Sequence, residues 1–478
     1  MLSWLRHIVG FGTRRPGYRQ GLEVERWLEN LFGELGLGEV RLEPVPVNCW
    51  EPSVTSLIPA DSACEIPCFP VPYTAWTAGA GLEAPMAFLG DASAKDFQRV
   101  DLRGRIAVVQ ARFAELAGAA LKQGSFFVRD AQHSVPDGPL HVANWLIRNF
   151  QSYYEAEKRG AAGFVGLLVD SPADGCDFYV PYDGCLKGLP AVWVGREHVA
   201  SMRDLARAGQ RVRLLSLGEN RVVDSHNVIG VVPGTGRDAS GENESIIVTC
   251  HHDAPFASAV EDASGLVVLL ALAKEFAAAR WRLRRDLVFV ASSGHFHGGI
   301  GNRVFVEKHA AGLLRRTVAA FGVEHIAEEA EADGHGGYRL TGRPEVRALF
   351  FDGSSKFARL LEEEAARHNL DRMICADAYC FGPEPPCDSA LFFTAGIPSA
   401  CHISGPLYLF DPHDTVDKVR AADLVPVARF FADAIRRVDT MSASELAEGM
   451  KRPRGSPPAL PPPWFSLPTF PHALSARS

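Results

Sequence analysis

The chain has 478 residues, 47% of them hydrophobic and 22% charged, enough apolar material for two or three packed domains. A net charge of -8 without any long basic run excludes a phosphate-gripping surface, so nucleic acid and anionic membrane fall away as partners and peptides or small molecules remain. The ten cysteines are scattered without close pairing, and a chain of this size needs no staples, so they read as free thiols.

In chain order, "MLSWLRHIVGFGTRRPGYRQ" interrupts its apolar stretch with Arg6 and His7 and offers no small-residue cleavage site, so it does not read as a signal peptide. Residues 17–37 place Leu22, Val24, Trp27, Leu28, Leu31, Phe32 and Leu35 at helical spacing and end in glycines, which predicts an amphipathic packing helix. From about 98 to 217, "LRGRIAVVQ", "SYYEAEKRGAAG", "FVGLLV" and "LPAVWVGREHVASMRDLARAGQRVRLL" read as the short strands and helices of a compact unit. "VIGVVPGTG" has the glycines of a phosphate loop but lacks its Lys and Ser/Thr, so it reads as a turn between strands.

Beyond it, "SIIVTC", a helix from Ala263 to Arg280, "DLVFVAS", a helix from about Asn302, "TVAAFGVEHI", "ALFFDG", a helix from Ser355 and a last helix from about Ala421 alternate. That alternation predicts an α/β fold with a mostly parallel mixed sheet covered on both faces, and chemistry outside the carboxyl ends of its strands. The most apolar stretch, "SGLVVLLALAKEFAAA", is broken by Lys274 and Glu275 and is too short to span a bilayer, so a cytoplasmic location is expected. Within the tail, residues 441–478, the Pro-rich stretch from Lys451 is expected to be extended; Trp464, Phe465 and Phe470 would dock on the chain's own body or on a second copy, or the tail stays loose.

Two stretches carry chemistry. In "IIVTCHHDAPFASAVEDASG" a buried strand delivers His251, His252 and Asp253 to its carboxyl edge, and Glu261 and Asp262 follow before a long helix. An imidazole and a carboxylate at one strand edge suit a metal, with Asp253 orienting the histidine from behind; the alternative makes Glu261 and Asp262 plain first-turn helix acids. In "SSGHFHGGIGNRVFV" His295 and His297 lie two apart, which on an extended segment aims both rings to one side; solvated loop histidines are the alternative. No G-x-S-x-G elbow for a serine hydrolase is present.

Taken together, "CHHD", "EDASG", "GGIGNRVFV", "GVEHI", "CDSALFFTAGIPSA" and "DPHDTVDKV" resemble, in order and spacing, the co-catalytic di-zinc aminopeptidases and glutamate carboxypeptidases. The segment from "LRGRIAVVQ" to "GQRVRLL" resembles the protease-associated domain often inserted into them. The resemblance implies a three-layer αβα sandwich with a smaller β-rich α+β insertion. It divides the chain into residues 1–80 and 218–440 as peptidase-like domain, 81–217 as insertion and 441–478 as tail. Carried over by position, it makes His251, Glu261 and Glu324 the ligands of one metal ion, with Glu261 standing where Asp is usual. The two positions that serve only the second ion read Phe296 and Phe410, and a phenyl ring cannot ligate.

The carboxylate that normally acts as general base is replaced by His295, a capable base near neutral pH. His297 and His413 are further candidate ligands, Asp253 a candidate supporting residue, and Asp388 and Asp414 read as scaffold. The expectation is a metallopeptidase-like hydrolase with one divalent ion, zinc before iron, acting on a peptide or N-acyl amino acid amide. A repurposed non-hydrolytic enzyme and an inactive binding protein stand as alternatives, separated by metal content and turnover.

Overall fold

Buried strands set the frame. The computed structural model describes residues 1–62, 64–237, 241–279 and 282–452; the Pro-rich tail beyond them lies outside the described residues. Ser245–His251 is buried at every position, as the sequence "SIIVTCH" requires of a strand covered on both faces. It pairs in parallel with Asp286–Ser292 on one side and Thr317–Val323 on the other, and Thr317–Val323 pairs in parallel with Ser399–Ser404. Arg347–Asp352 then runs antiparallel, followed by the short Met373–Cys375 and, at the rim, Phe127–Arg129. Gly265–Ala278, Ser355–Arg367 and Ala421–Thr440 bring their apolar faces to the sheet core. Each fully buried Leu, Val or Phe contributes about 1.5–3 kcal/mol.

A long antiparallel ribbon, Gly38–Pro59 against Arg211–Val232, joins this sheet to a smaller one. At one end of the ribbon Val228 to Val232 pair with Asp286–Ser292; at the other Arg211 to Leu214 pair with Leu82–Phe88. The smaller sheet continues through Ile106–Gln110, Gly163–Leu167, Ala191–Val194 and Cys68–Pro70. It has an apolar cluster of its own, including Met86, Val108, Val165, Val192 and Met202. Part of the segment expected as an insertion behaves differently. Between Ile106–Gln110 and Gly163–Leu167 the chain leaves the small sheet and lends Phe127–Arg129 to the far rim of the large one.

Helix boundaries shift where side chains capture backbone donors. The helix expected from Ala263 begins at Gly265, because the Asp414 carboxylate accepts the Val260 and Glu261 N–H groups at 2.7 and 2.9 Å and holds Val260–Ser264 in a kinked turn. The helix expected from Asn302 begins at Ile300. Among the described residues no helix is long and apolar enough to cross a membrane.

Candidate metal centre

The carboxyl edges of four adjacent strands carry the site. His251 ends one strand, His295 follows the end of the next at Ser292, Glu324 and His325 follow a third, and Ser404 ends a fourth. His251, Glu261 and Glu324, predicted as one ligand set, are all wholly buried here. His251 Nδ1 donates to the Asp253 carbonyl at 2.9 Å, so its Nε2 lone pair faces Glu261 Oε1, 3.0 Å away. Glu324 Oε1 accepts the Asp388 N–H at 2.9 Å and the Cys401 S–H at 3.0 Å, which leaves Oε2 for the site. Arg14, fully buried, steadies the loop after His251 by donating to the carbonyls of Ala257 at 2.6 Å and Ser258 at 2.9 Å.

Two residues that the sequence did not mark as ligands or catalytic groups complete the cluster. His325 Nε2 lies 2.6 Å from Glu261 Oε2, with its Nδ1 2.6 Å from the Ser404 carbonyl. Asp388, expected as scaffold, places Oδ1 2.6 Å from His295 Nδ1. A histidine next to Glu324 in "EH" and a lone Asp in "CDS" have no periodicity that marks them, so spacing alone does not find these roles.

The two histidines of the opening glycine turn face different ways, contrary to the expectation of a shared side. His295–His297 is a single tight turn between Gly294 and Gly298, both in the left-handed region at φ +72° and +69°, and not an extended segment. His295 points into the site, Nε2 3.7 Å from Glu261 Oε1. His297 points away, buried, with Nε2 accepting the Asn48 N–H at 3.4 Å and its ring edge-on to Tyr73. Burial and the nearby Lys187 push its imidazole down to about 3. His413 is also apart, 42% exposed and 3.1 Å from Asp411 through Nδ1. Neither joins the ligand cluster. Asp253 supports the site differently from expected: its carbonyl orients His251, while its carboxylate accepts the N–H groups of His295 at 3.2 Å and Phe296 at 2.8 Å.

Unsatisfied atoms show what the cluster is built to hold. His251 Nε2, both Glu261 oxygens, Glu324 Oε2, His325 Nε2 and Asp388 Oδ2 are buried without an aligned hydrogen bond among the described residues. Buried polar atoms are otherwise almost always satisfied, so this group of donor atoms fits a cation held among them. Ligand atoms of His251, Glu324 and His325 lie within 4.8 Å of one another, as do those of His251, His295 and Asp388. The first group suits one ion. The second does not, because His251 and His295 stack with centroids 4.2 Å apart and planes 13° from parallel, so their lone pairs run side by side and do not converge.

The electrostatics follow from burial and neighbours. Burial pushes the Glu324 carboxyl well above the usual range, assisted by Cys401, Asp388 and Asp262. For Glu261 burial is outweighed when His325 and His251 carry protons in place of an ion, and their charge then holds it well below. Burial brings Asp262 up to about 6; its carboxylate accepts the Gly265 N–H at 3.0 Å and the His325 N–H at 3.1 Å. Phe296 and Phe410 pack edge to face with centroids 5.3 Å apart, and Tyr182 covers both.

Residues 227–431 match Peptidase family M28. The chain superposes on three solved structures. The zinc aminopeptidase BSAP from Bacillus subtilis has a TM-score of 0.68 at 17% identity, covering 94% of this chain and 97% of that one. A peptidase M28 precursor from Shewanella amazonensis gives 0.68 at 18% identity, covering 96% and 95%. The aminopeptidase from Aneurinibacillus sp. strain AM-1 gives 0.60 at 20% identity, covering 95% and 97%. At these identities the likeness establishes the fold, the α/β architecture of zinc aminopeptidases. Within the sequence, 155 residues are 26% identical to Aminopeptidase NAALADL1 of Rattus norvegicus and 27% identical to that of Mus musculus. The match spans 32% of this chain and 20% of each relative, so the chain covers about a fifth of their length.

Proposed function

We propose that the protein is a metal-dependent amide hydrolase that works with one divalent ion, zinc by preference, on a peptide or N-acyl amino acid. One observation carries the reading. His295 Nδ1 is 2.6 Å from the Asp388 carboxylate, so Nδ1 keeps its proton and Nε2 presents a lone pair toward Glu261 at the metal cluster. This is the logic of a general base held in one tautomer by an acidic partner.

His251, Glu261 and Glu324 would hold the ion, and the unsatisfied buried atoms of this set fit it. Once bound, the ion supplies a Lewis acid that polarises the scissile carbonyl and acidifies water. His295 takes the proton of the attacking water at Nε2 and delivers it to the leaving amine. Asp388 stabilises the imidazolium in between. Tyr182 stacks on His295, centroids 5.3 Å apart and planes 13° from parallel, and fixes the ring from its open face. His295 is itself 15% exposed while the proposed ligands are wholly buried, so substrate would meet the base first. Phe296 and Phe410 fill the second ion's place with rings, which supports a count of one.

The test uses zinc-loaded full-length protein, metal analysis by plasma mass spectrometry, and a panel of aminoacyl anilides and N-acyl amides. About one equivalent of zinc is expected, with turnover abolished by chelation and restored by zinc. His295→Gln should keep the zinc and lose about 10²–10⁴-fold in kcat. Zinc bound without hydrolysis of any panel member would move the function to non-hydrolytic chemistry or binding. Two equivalents would refute the single-ion site, and iron displacing zinc in the isolated protein would reassign the metal.

A further inference from the structure

We propose that His325 is itself a ligand of the metal ion, joining His251 and Glu324, so that two imidazoles hold the ion where the motif carried over from relatives supplies one. The proposal rests on the metal reading above and extends it.

The tautomer argument comes first. A backbone carbonyl can only accept, so with Nδ1 2.6 Å from the Ser404 oxygen the proton of a neutral His325 ring sits on Nδ1. Nε2 is then a bare lone pair, buried, without an aligned hydrogen bond, and beside a Glu261 oxygen that has none either. Two acceptors left facing each other in the interior repel unless a cation joins them. His251 is built in the same way, with Nδ1 on the Asp253 carbonyl and Nε2 bare against the other Glu261 oxygen. The two imidazoles thus flank one carboxylate from its two oxygens, each oriented from behind by a carbonyl, as metal-bound histidines are.

Backbone conformation supplies an independent argument. Consecutive residues of a strand point to opposite faces, so Glu324 and His325 should not both enter one site. His325 has φ +50°, in the left-handed region that an L residue seldom occupies, and this breaks the alternation immediately after the strand. The conformation is held from both sides: its N–H donates to Asp262 Oδ1 at 3.1 Å, and Ser404 Oγ donates to its carbonyl at 2.6 Å. A costly backbone, secured by three hydrogen bonds around one residue, turns this imidazole inward beside Glu324. Donors about 2.0–2.1 Å from a common tetrahedral ion lie about 3.4 Å apart. The atoms of His251, Glu324 and His325 are mutually within 4.8 Å, so an ion has to draw them in by at most about 1.4 Å.

X-ray absorption at the zinc edge of the zinc-loaded full chain tests this, because outer-shell scattering counts imidazoles. Two are expected in the natural protein, one in His325→Gln, and two in His295→Gln. Zinc affinity by chelator competition should weaken about 100-fold or more in His325→Gln, with circular dichroism confirming the fold. If His325 is instead an imidazolium that neutralises Glu261, the natural protein shows one imidazole and His325→Gln binds zinc equally well or better; either result overturns the proposal. Should the variant not fold, the imidazole count of the natural protein decides alone. A protein that takes up no zinc overturns the metal reading together with this one, whereas one equivalent with a single imidazole overturns only this one.

Discussion

Asp388→Asn isolates the pair on which the proposed chemistry turns. The Asp388 backbone is held without its carboxylate: its N–H donates to Glu324 Oε1 at 2.9 Å and its carbonyl accepts Asn302 Nδ2 at 2.9 Å. The amide should therefore keep the shape of the site and remove only the charge. Burial pushes the Asp388 carboxyl up, but His251 and His295 outweigh it and hold it below its ordinary value, so the natural side chain is ionised. A unit charge about 4 Å from the imidazolium that forms at His295, at an effective dielectric of about 20, is worth about 4 kcal/mol. That corresponds to a loss of roughly 10³-fold in kcat. KM should move far less, since the charge acts on the proton-holding state and not on substrate binding. Steady-state kinetics of the zinc-loaded variant, normalised to measured zinc, provides the check. A kcat within about tenfold of the natural protein at equal zinc content would refute the role of Asp388 and, with it, the choice of His295 as base.

Restoring the missing ligands is the reverse experiment. Phe296→Glu with Phe410→His should raise zinc uptake from about one to about two equivalents, whereas Phe296→Glu alone should destabilise by several kcal/mol, because a carboxylate would replace a wholly buried ring; uptake staying at one would show that the rings are not what excludes the second ion. Glu43 predicts a pH dependence of stability: burial would push it up, but hydrogen bonds from His309 and Arg41 and their charges bring its carboxyl down from 4.5 to about 2. Its contribution is present above about pH 4.5 and fades as pH falls toward 2, so the gap between natural protein and Glu43→Gln, about 1–2 kcal/mol after screening, should close over that window in urea titrations. Lys187 donates to Asp183 at 2.7 Å with both side chains almost wholly buried, so Lys187→Met should cost about 3–5 kcal/mol by thermal or chemical melts. Asp183→Asn added to it should recover much of that.

Strand alternation and the carboxyl-edge location of the chemistry were legible in the sequence, because buried strands and amphipathic helices write their periods into composition. His251, Glu261 and Glu324 were placed by motif order; the structure sets His251 against Glu261 and groups His251 with Glu324. What stayed hidden depended on departures from period. His295 and His297 part company because the chain leaves the strand at Ser292 and tightens into a glycine-flanked turn. His325 enters the site only through a left-handed residue that breaks alternation. His413 sits near the right motif but turns to Asp411, a choice made by one local hydrogen bond. The rim strand Phe127–Arg129 pairs with residues some 245 positions later, and no local pattern announces such a partner.

That rim strand also bears on how the molecule comes into being. Arg129 cannot meet Met373 until both have been synthesised, and at about 5–20 residues per second the wait is on the order of tens of seconds. During this interval the partner of Phe127–Arg129 does not yet exist, and Phe126 and Val128 keep apolar side chains in water even after docking. The nascent chain thus carries an unpartnered sticky edge through about half of its translation, an exposure that a ribosome-associated chaperone would cover.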